Sequence, residues 1–340
     1  MRPKVLLQLG TFIYDRCITE ENWARFEQLA EPVGRGRTEP MDEDELRGVL
    51  EGVTGLMSFG RLLPYLSREI LAETDSLKII GVWGDRFGKE LDLEAARELD
   101  IKVVDVDNIT CAQPVAEWVL GLILACLRNA GEIYRRMIDG TETWLDTLND
   151  GFVNGELTGR SVGLVGCGHV GQRFIELLDP FRVNLKVYDP FLPDETVEGL
   201  KIQRGELDDV IQHSEILVLQ VPHTPTTEGM IGRSELDLLR KGAVLINCCR
   251  GKVVDSEALI EKLEKKEIIA GLDVFDPEPL PKDDPLRTFP NAILSPHIAW
   301  CAQNSFPRCF DMMLDEFERF FQGRPLEYEL TARLVELRNR

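Results

Sequence analysis

The 340-residue chain is poor in histidine and lacks any pattern that would gather a metal ion. Its four histidines, His169, His213, His223 and His297, form no HExxH, and its eight cysteines contain no CxxC pair. Cys17, Cys111, Cys126, Cys167, Cys301 and Cys309 are scattered, and Cys248 and Cys249 are adjacent. Metal sites need tighter ligand spacing, so no metal is expected and the cysteines read as reduced, buried thiols. Positive charge is also short: 39 Lys and Arg against 59 Asp and Glu leave a net charge of −20. That field repels a phosphate backbone, no basic patch offsets it, and nucleic acid is not an expected partner. No apolar run reaches the roughly 18 residues of a membrane span, and the start MRPKVLLQLG lacks the pattern of a signal peptide. The expectation is a cytoplasmic protein with no membrane partner. Internal repeats and low-complexity tracts are missing as well, which excludes solenoids and disordered linkers.

What is present is a chain long enough for two domains, with 44% hydrophobic positions. Apolar runs KVLLQL, VTGLM, LKIIGV and IKVVDV alternate with amphipathic stretches, a parallel α/β rhythm. Asp42 with Glu45 predicts a helix start before VTGLM, and Asp92 opens another in DLEAARELD. PVAEWVLGLILACLR, from Pro114 to Arg128, is too apolar for a surface helix and too short and polar to span a membrane, so it predicts a buried helix packed between domains or subunits. From Arg160 the rhythm restarts with SVGLVG, LKVYD, EILVLQVP, AVLINC, IAGLDV and AILSPH, continuous runs that indicate strands covered on both faces. The stretch from Ser305 through FFQGRP is helical and charged, and is expected to return to the first lobe.

SVGLVGCGHVGQRF places Gly166, Gly168 and Gly171 between a strand and a helix. In that context a GxGxxG is informative: the first glycine makes the turn, the second admits a pyrophosphate, the third lets helix and strand pack, and the helix N-terminus favours an anion. Phosphate is expected near His169 and Val170. Asp189, at the end of LKVYD, has the spacing of the acid that binds the adenosine ribose and repels a 2′-phosphate. NAD is favoured over NADP, with Arg182 and Lys186 as the residues placed to soften that preference. Three further strands end in polar side chains: Arg250 in NCCRG, Asp273 and Glu278 in GLDVFDPEPLP, and His297 in SPHIAW. Arg250 offers a permanent, forked clamp for a carboxylate. His297 is the natural proton carrier near neutral pH, and a hydrogen bond to the Glu278 carboxylate would stabilise its imidazolium. Singly, each has an ordinary structural reading; together they point to chemistry at a 2-keto or 2-hydroxy acid.

These segments, with VPHTPTTEGMI, LKIIGVWGDRF and FFQGRPL in the same order, resemble the D-isomer-specific 2-hydroxyacid dehydrogenase family over nearly the whole chain. The resemblance implies a Rossmann-type doubly wound α/β cofactor domain over residues 105–298. It also implies a smaller flavodoxin-like α/β substrate domain from residues 1–104 and 299–340, closing on the cofactor lobe. It implies Arg250, Glu278 and His297 as the catalytic trio, and Asp273 as the nicotinamide carboxamide contact. Pro222, Thr227 and Cys248 join the glycine loop and Asp189 as cofactor-binding residues. NAD is the implied cofactor, a small 2-keto or 2-hydroxy acid the substrate, and a homodimer built on the helix from Pro114 and the segment reaching Trp144 the assembly.

The chain departs from that pattern at Trp83, Gly84, Asp85 and Arg86, where many members carry Gly-Val-Gly. Arg86 reads either as a grip on a second acidic group of the substrate or as the ion-pair partner of Asp85; Trp83 reads as an apolar wall, and Ser58 as a further substrate contact. Cys111, Cys248 and Cys249 also replace residues common in relatives, without removing the trio. Trp300 resembles members acting on hydroxypyruvate and glyoxylate. Two rival readings stand: a formate dehydrogenase of the same architecture, which would carry glutamine at Glu278 and need no proton relay, and an NAD-sensing scaffold or co-repressor that binds partners instead of turning over substrate.

Overall fold

Continuous apolar runs become strands of two parallel sheets, because a strand covered on both faces has no polar side to show. The computed structural model describes residues 2–34, 40–59, 62–83, 91–142 and 155–331. Gly84, Asp85 and Arg86 lie outside these. The chain divides into two compact units, Met1–Cys111 with Ala302–Arg340, and Ala112–Cys301.

The first unit carries β1 (Lys4–Leu9), β2 (Glu31–Val33), β3 (Gly55–Phe59), β4 (Ile79–Trp83) and β5 (Lys102–Asp105) in the order β2-β1-β3-β4-β5, the flavodoxin-like arrangement. Asp42 and Asp92 cap helices Glu43–Leu50 and Leu93–Glu98, accepting from the backbone N–H groups of Glu45 and Ala95 at 2.9 and 2.8 Å. Each satisfies a donor that the helix cannot pair internally. The helix Ser305–Phe321 lies on this sheet, so close that a Cβ on Gly81 would stand 2.2 Å from Met313 Sδ. Phe310 of that helix meets Phe26 and Phe59 with ring centroids 6.0 and 5.7 Å apart. Its fully buried Glu316 accepts from the N–H groups of Glu327 and Tyr328, both at 3.0 Å, and faces Arg319.

In the second unit β6 (Ser161–Val165), β7 (Asn184–Tyr188) and β8 (Gln203–Arg204) run outward on one side of β6. On its other side stand β9 (Ile216–Leu219), β10 (Ala243–Asn247), β11 (Ile268–Leu272) and β12 (Ala292–Leu294), giving β12-β11-β10-β9-β6-β7-β8. The order reverses between β6 and β9, the switch point at which a doubly wound sheet opens a crevice. The register aligns Val165 with Tyr188 and Leu219, Leu219 with Asn247, Asn247 with Leu272, and Leu272 with Leu294. Residues just past that row, among them Gly166, Asp189, Gln220, Cys248, Asp273 and Ser295, therefore share the carboxyl edge of one sheet. The helix Ala112–Leu127 packs on β10, β11, β12 and the helix His169–Leu178. Its buried face holds Val119, Ile123 and Cys126, while Leu124 is exposed.

The runs read from the sequence correspond to ten of these strands. Two short ones, β2 and β8, were not anticipated: both lie at a sheet edge, and β2 contains Pro32, which an edge tolerates.

Candidate active site

The glycine loop follows β6. Gly166 has φ +93° and a Cβ there would lie 2.4 Å from the carbonyl oxygen of Gln220, while one on Gly171 would lie 2.6 Å from the carbonyl oxygen of Gly166. Closeness demands glycine at both positions, and at Gly166 the backbone conformation does so as well. Gly168 differs, since a Cβ there meets nothing within 4 Å. The helix beginning at His169 has no side-chain cap and no acidic residue in its first turn. An open cradle before an uncapped helix N-terminus fits an anion such as a pyrophosphate. Asp189 accepts from the N–H of Cys167 at 2.8 Å with one carboxylate oxygen and from Phe191 at 2.9 Å with the other, leaving a lone pair on each. Arg182 precedes β7, at the edge of the sheet opposite Asp189, and the stem of Lys186 packs at Gly205. Gln220, beside the loop, buries its side-chain Nε2 without a partner among the described residues.

Farther along the same edge, Asn247 shapes the turn that carries Arg250. Its side-chain oxygen accepts from the N–H of Cys249 at 3.1 Å, and its amide donates to the carbonyl of Arg250 at 3.0 Å. Gly251 follows by necessity, since a Cβ there would sit 1.9 Å from the carbonyl oxygen of Phe275. The Arg250 guanidinium donates to the carbonyl of Cys249 at 2.6 Å and has no carboxylate partner among the described residues. Burial, with Asp273 nearby, pushes the Cys248 thiol well up, so it stands there as a small neutral side chain.

His297 Nδ1 and Glu278 Oε2 are 2.9 Å apart, and the other carboxylate oxygen of Glu278 accepts from the N–H of Phe275 at 2.9 Å. A carboxylate only accepts, so Nδ1 carries the proton and Nε2 is the nitrogen left for a reaction. His297 has φ +53°, the left-handed region that a non-glycine residue enters at a cost of about 1–2 kcal/mol. The turn is held from several sides. The N–H of His297 donates to the carbonyl of Asp273 at 2.8 Å, and Trp300 Nε1 donates to the carbonyl of His297 at 3.0 Å. The Asp273 carboxylate, with no exposed surface, accepts from the N–H groups of Ile298 and Ala299 at 3.0 and 2.9 Å and from Ser295 Oγ at 2.5 Å. Thr227 accepts from the N–H of Thr224 at 2.8 Å and donates to the carbonyl of Pro222 at 2.6 Å, fixing the loop after β9.

The comparisons with known proteins agree with this architecture. The family model of the D-isomer specific 2-hydroxyacid dehydrogenase, NAD binding domain, matches residues 120–299. The chain belongs to the D-isomer-specific 2-hydroxyacid dehydrogenases. Family members are NAD-dependent oxidoreductases, and the second unit is their NAD-binding domain. A D-3-phosphoglycerate dehydrogenase of Methanocaldococcus jannaschii is 30% identical over 322 residues, covering 89% of this chain and 59% of that protein. A glyoxylate reductase of Thermofilum pendens is 36% identical over 238 residues, covering 69% of each. Among solved structures, a phosphoglycerate oxidoreductase from Rhizobium etli superposes with a TM-score of 0.80 at 26% identity, covering 97% of this chain and 98% of the other.

The structure brings Glu278 and His297 into contact, and sets Arg250 and Asp273 on the same sheet edge in this dehydrogenase. Ser58 and Trp83 belong to the first unit: Ser58 is buried in β3, and the Trp83 ring at the end of β4 packs on Phe59 and Phe306 with centroids 6.1 and 6.3 Å apart. Sequence reasoning missed Trp118, Asn247, Gly251 and Ser295. The serine stands two residues before His297 and was within reach of a motif argument. Trp118 was not, because only folding brings it to Ser295.

Proposed function

We propose that this dehydrogenase interconverts a small 2-keto acid and its D-2-hydroxy acid, with Arg250 orienting the substrate and His297, held by Glu278, moving the proton. The 2.9 Å contact between His297 Nδ1 and Glu278 Oε2 carries the reading. The loop Gly166, Gly168, His169, Val170 and Gly171 would hold the cofactor pyrophosphate and Asp189 the ribose, with Pro222, Thr227, Cys248 and Asp273 toward the nicotinamide end. When bound, NADH supplies the hydride that reduces C2.

Each side chain then has a task set by its chemistry. The Arg250 guanidinium pairs with the substrate carboxylate in a fork that fixes the neighbouring carbonyl. His297 in its imidazolium form donates the Nε2 proton to the carbonyl oxygen, closing the O–H bond of the product, while Nδ1–H stays with Glu278. Oxidation of the hydroxy acid runs the same transfers backward. Formate oxidation yields carbon dioxide without a proton relay, so an ionisable partner on His297 favours alcohol and ketone chemistry over the formate reading. Trp300 and the hydroxypyruvate and glyoxylate reductase names among relatives support a two- or three-carbon substrate.

A second copy of this chain is the proposed partner. The helix Ala130–Asp139 buries none of its residues and exposes Tyr134, Met137 and Ile138. Eight cysteines outside disulfides support a reducing compartment such as the cytoplasm. Among the described residues no helix is long and apolar enough to cross a membrane.

The test is NADH and NADPH oxidation against glyoxylate, hydroxypyruvate, pyruvate, phenylpyruvate, oxaloacetate and 2-ketoglutarate, with His297→Ala beside the wild type. Turnover that prefers NADH and vanishes in the variant is the expected result. Tight NADH binding with no keto acid consumed would sink the proposal in favour of a sensing scaffold.

A further inference from the structure

The His297 turn rests on a polar chain that runs from the buried Asp273 to a half-buried indole far from it in sequence, on the helix Ala112–Leu127. An indole only donates, so Trp118 Nε1–H gives its hydrogen to Ser295 Oγ at 3.1 Å. The Ser295 hydroxyl then directs its own proton to Asp273 Oδ1 at 2.5 Å, the length of a charge-assisted O–H···O⁻ contact. Asp273 in turn takes the N–H groups of both residues after His297 with its carboxylate, and that of His297 itself with its carbonyl. One fully buried aspartate thus fastens three consecutive backbone amides around a residue at φ +53°. A conformation of that kind persists only where its surroundings over-determine it.

We propose that Trp118 and Ser295 are positioning residues for His297, acting through Asp273. The proposal deepens the reading of His297 as proton carrier and rests on it. Ser295 orients the carboxylate, the carboxylate holds the turn, and the turn sets where the imidazole stands against Glu278. Reacting groups displaced by about 1 Å can lose on the order of 10²-fold in rate, so a small loosening of this chain is felt in turnover before it is felt in binding. Loss of the Ser295 hydroxyl leaves the Trp118 N–H without its acceptor and Asp273 Oδ1 with the Ile298 amide alone.

The experiment uses the full chain with Ser295→Ala, Ser295→Thr and Trp118→Phe, the last keeping an aromatic ring while deleting the donor. Two readouts are taken: kcat and KM for the best keto acid with NADH, and the imidazole C–H resonance of His297 in cofactor-free protein. With four histidines in the chain, that signal is assigned by its loss in His297→Gln. For Ser295→Ala and Trp118→Phe we expect kcat lowered roughly 5- to 20-fold with KM changed less than twofold, and a displaced His297 resonance. Both effects should be restored in Ser295→Thr. Wild-type kcat or an unmoved resonance in Trp118→Phe overturns the proposal, whether or not Ser295→Ala folds. If His297→Ala still turns over keto acid, the functional reading fails instead, and the resonance alone then decides whether the chain positions the ring.

Discussion

At the scale of single residues, the contact between Glu278 and His297 makes a prediction with a sign. Glutamine at 278 keeps a hydrogen bond but removes the negative charge that favours imidazolium. Keto-acid reduction by Glu278→Gln should fall by about 10²-fold near neutral pH, because the ring that donates the proton loses its counter-charge. A kcat/KM that matches the wild type would remove Glu278 from the relay. The cysteines make a second prediction. Burial pushes Cys17, Cys126 and Cys167 up to about 12 and raises Cys111, Cys248, Cys249 and Cys309, while Cys301 is exposed. The thiolate is the reactive form, so a thiol-specific disulfide reagent at pH 8 should titrate about one thiol in the native protein and the rest only after unfolding. Rapid reaction of a second thiol would contradict the packing around the others.

At the scale of elements, caps and close approaches carry the stability of short helices. Asp92 holds the start of a six-residue helix through the N–H of Ala95 at 2.8 Å. Replacing it with alanine should cost about 1 kcal/mol in urea unfolding, without changing NADH affinity. A loss of cofactor binding in that variant would mean the helix does more than support its sheet. The glycine loop behaves oppositely. Gly171→Ala brings a methyl against the carbonyl of Gly166, 2.6 Å away, so it must shift the helix from the strand and should weaken NADH binding at least tenfold in a fluorescence titration. Both elements were legible because their signals are local: an acid before a helical pattern, and three glycines after an apolar run. The edge strands β2 and β8 were not, since three and two residues carry too little periodicity to stand out.

At the scale of the whole molecule, the raised thiols act together on the pH dependence of stability. In the unfolded chain a cysteine ionises near 9, whereas the buried Cys17, Cys126 and Cys167 keep their protons to about 12. Above pH 9 the unfolded state therefore binds fewer protons, and stability present below that pH is lost as pH rises toward the folded-state values. Urea midpoints should fall steeply between pH 9 and 11, and a flat profile would argue against buried thiols as the cause. The exposed apolar face of Ala130–Asp139 predicts assembly: the wild type should sediment as a dimer, and Ile138→Glu should shift it toward monomer. What the sequence alone determined was whatever depends on near neighbours: strand runs, helix starts, the glycine loop with Asp189 in register, and which residue types stand at 250, 278 and 297. The tertiary structure decided what depends on distant ones. It aligned six strand ends so that Arg250, Asp273 and His297 share an edge, and it turned Asp273 into the anchor of a strained histidine. It also carried Trp118 across 177 positions to Ser295, a contact no local pattern encodes, because hydrogen bonds between elements exist only once the sheet and its covering helix have packed.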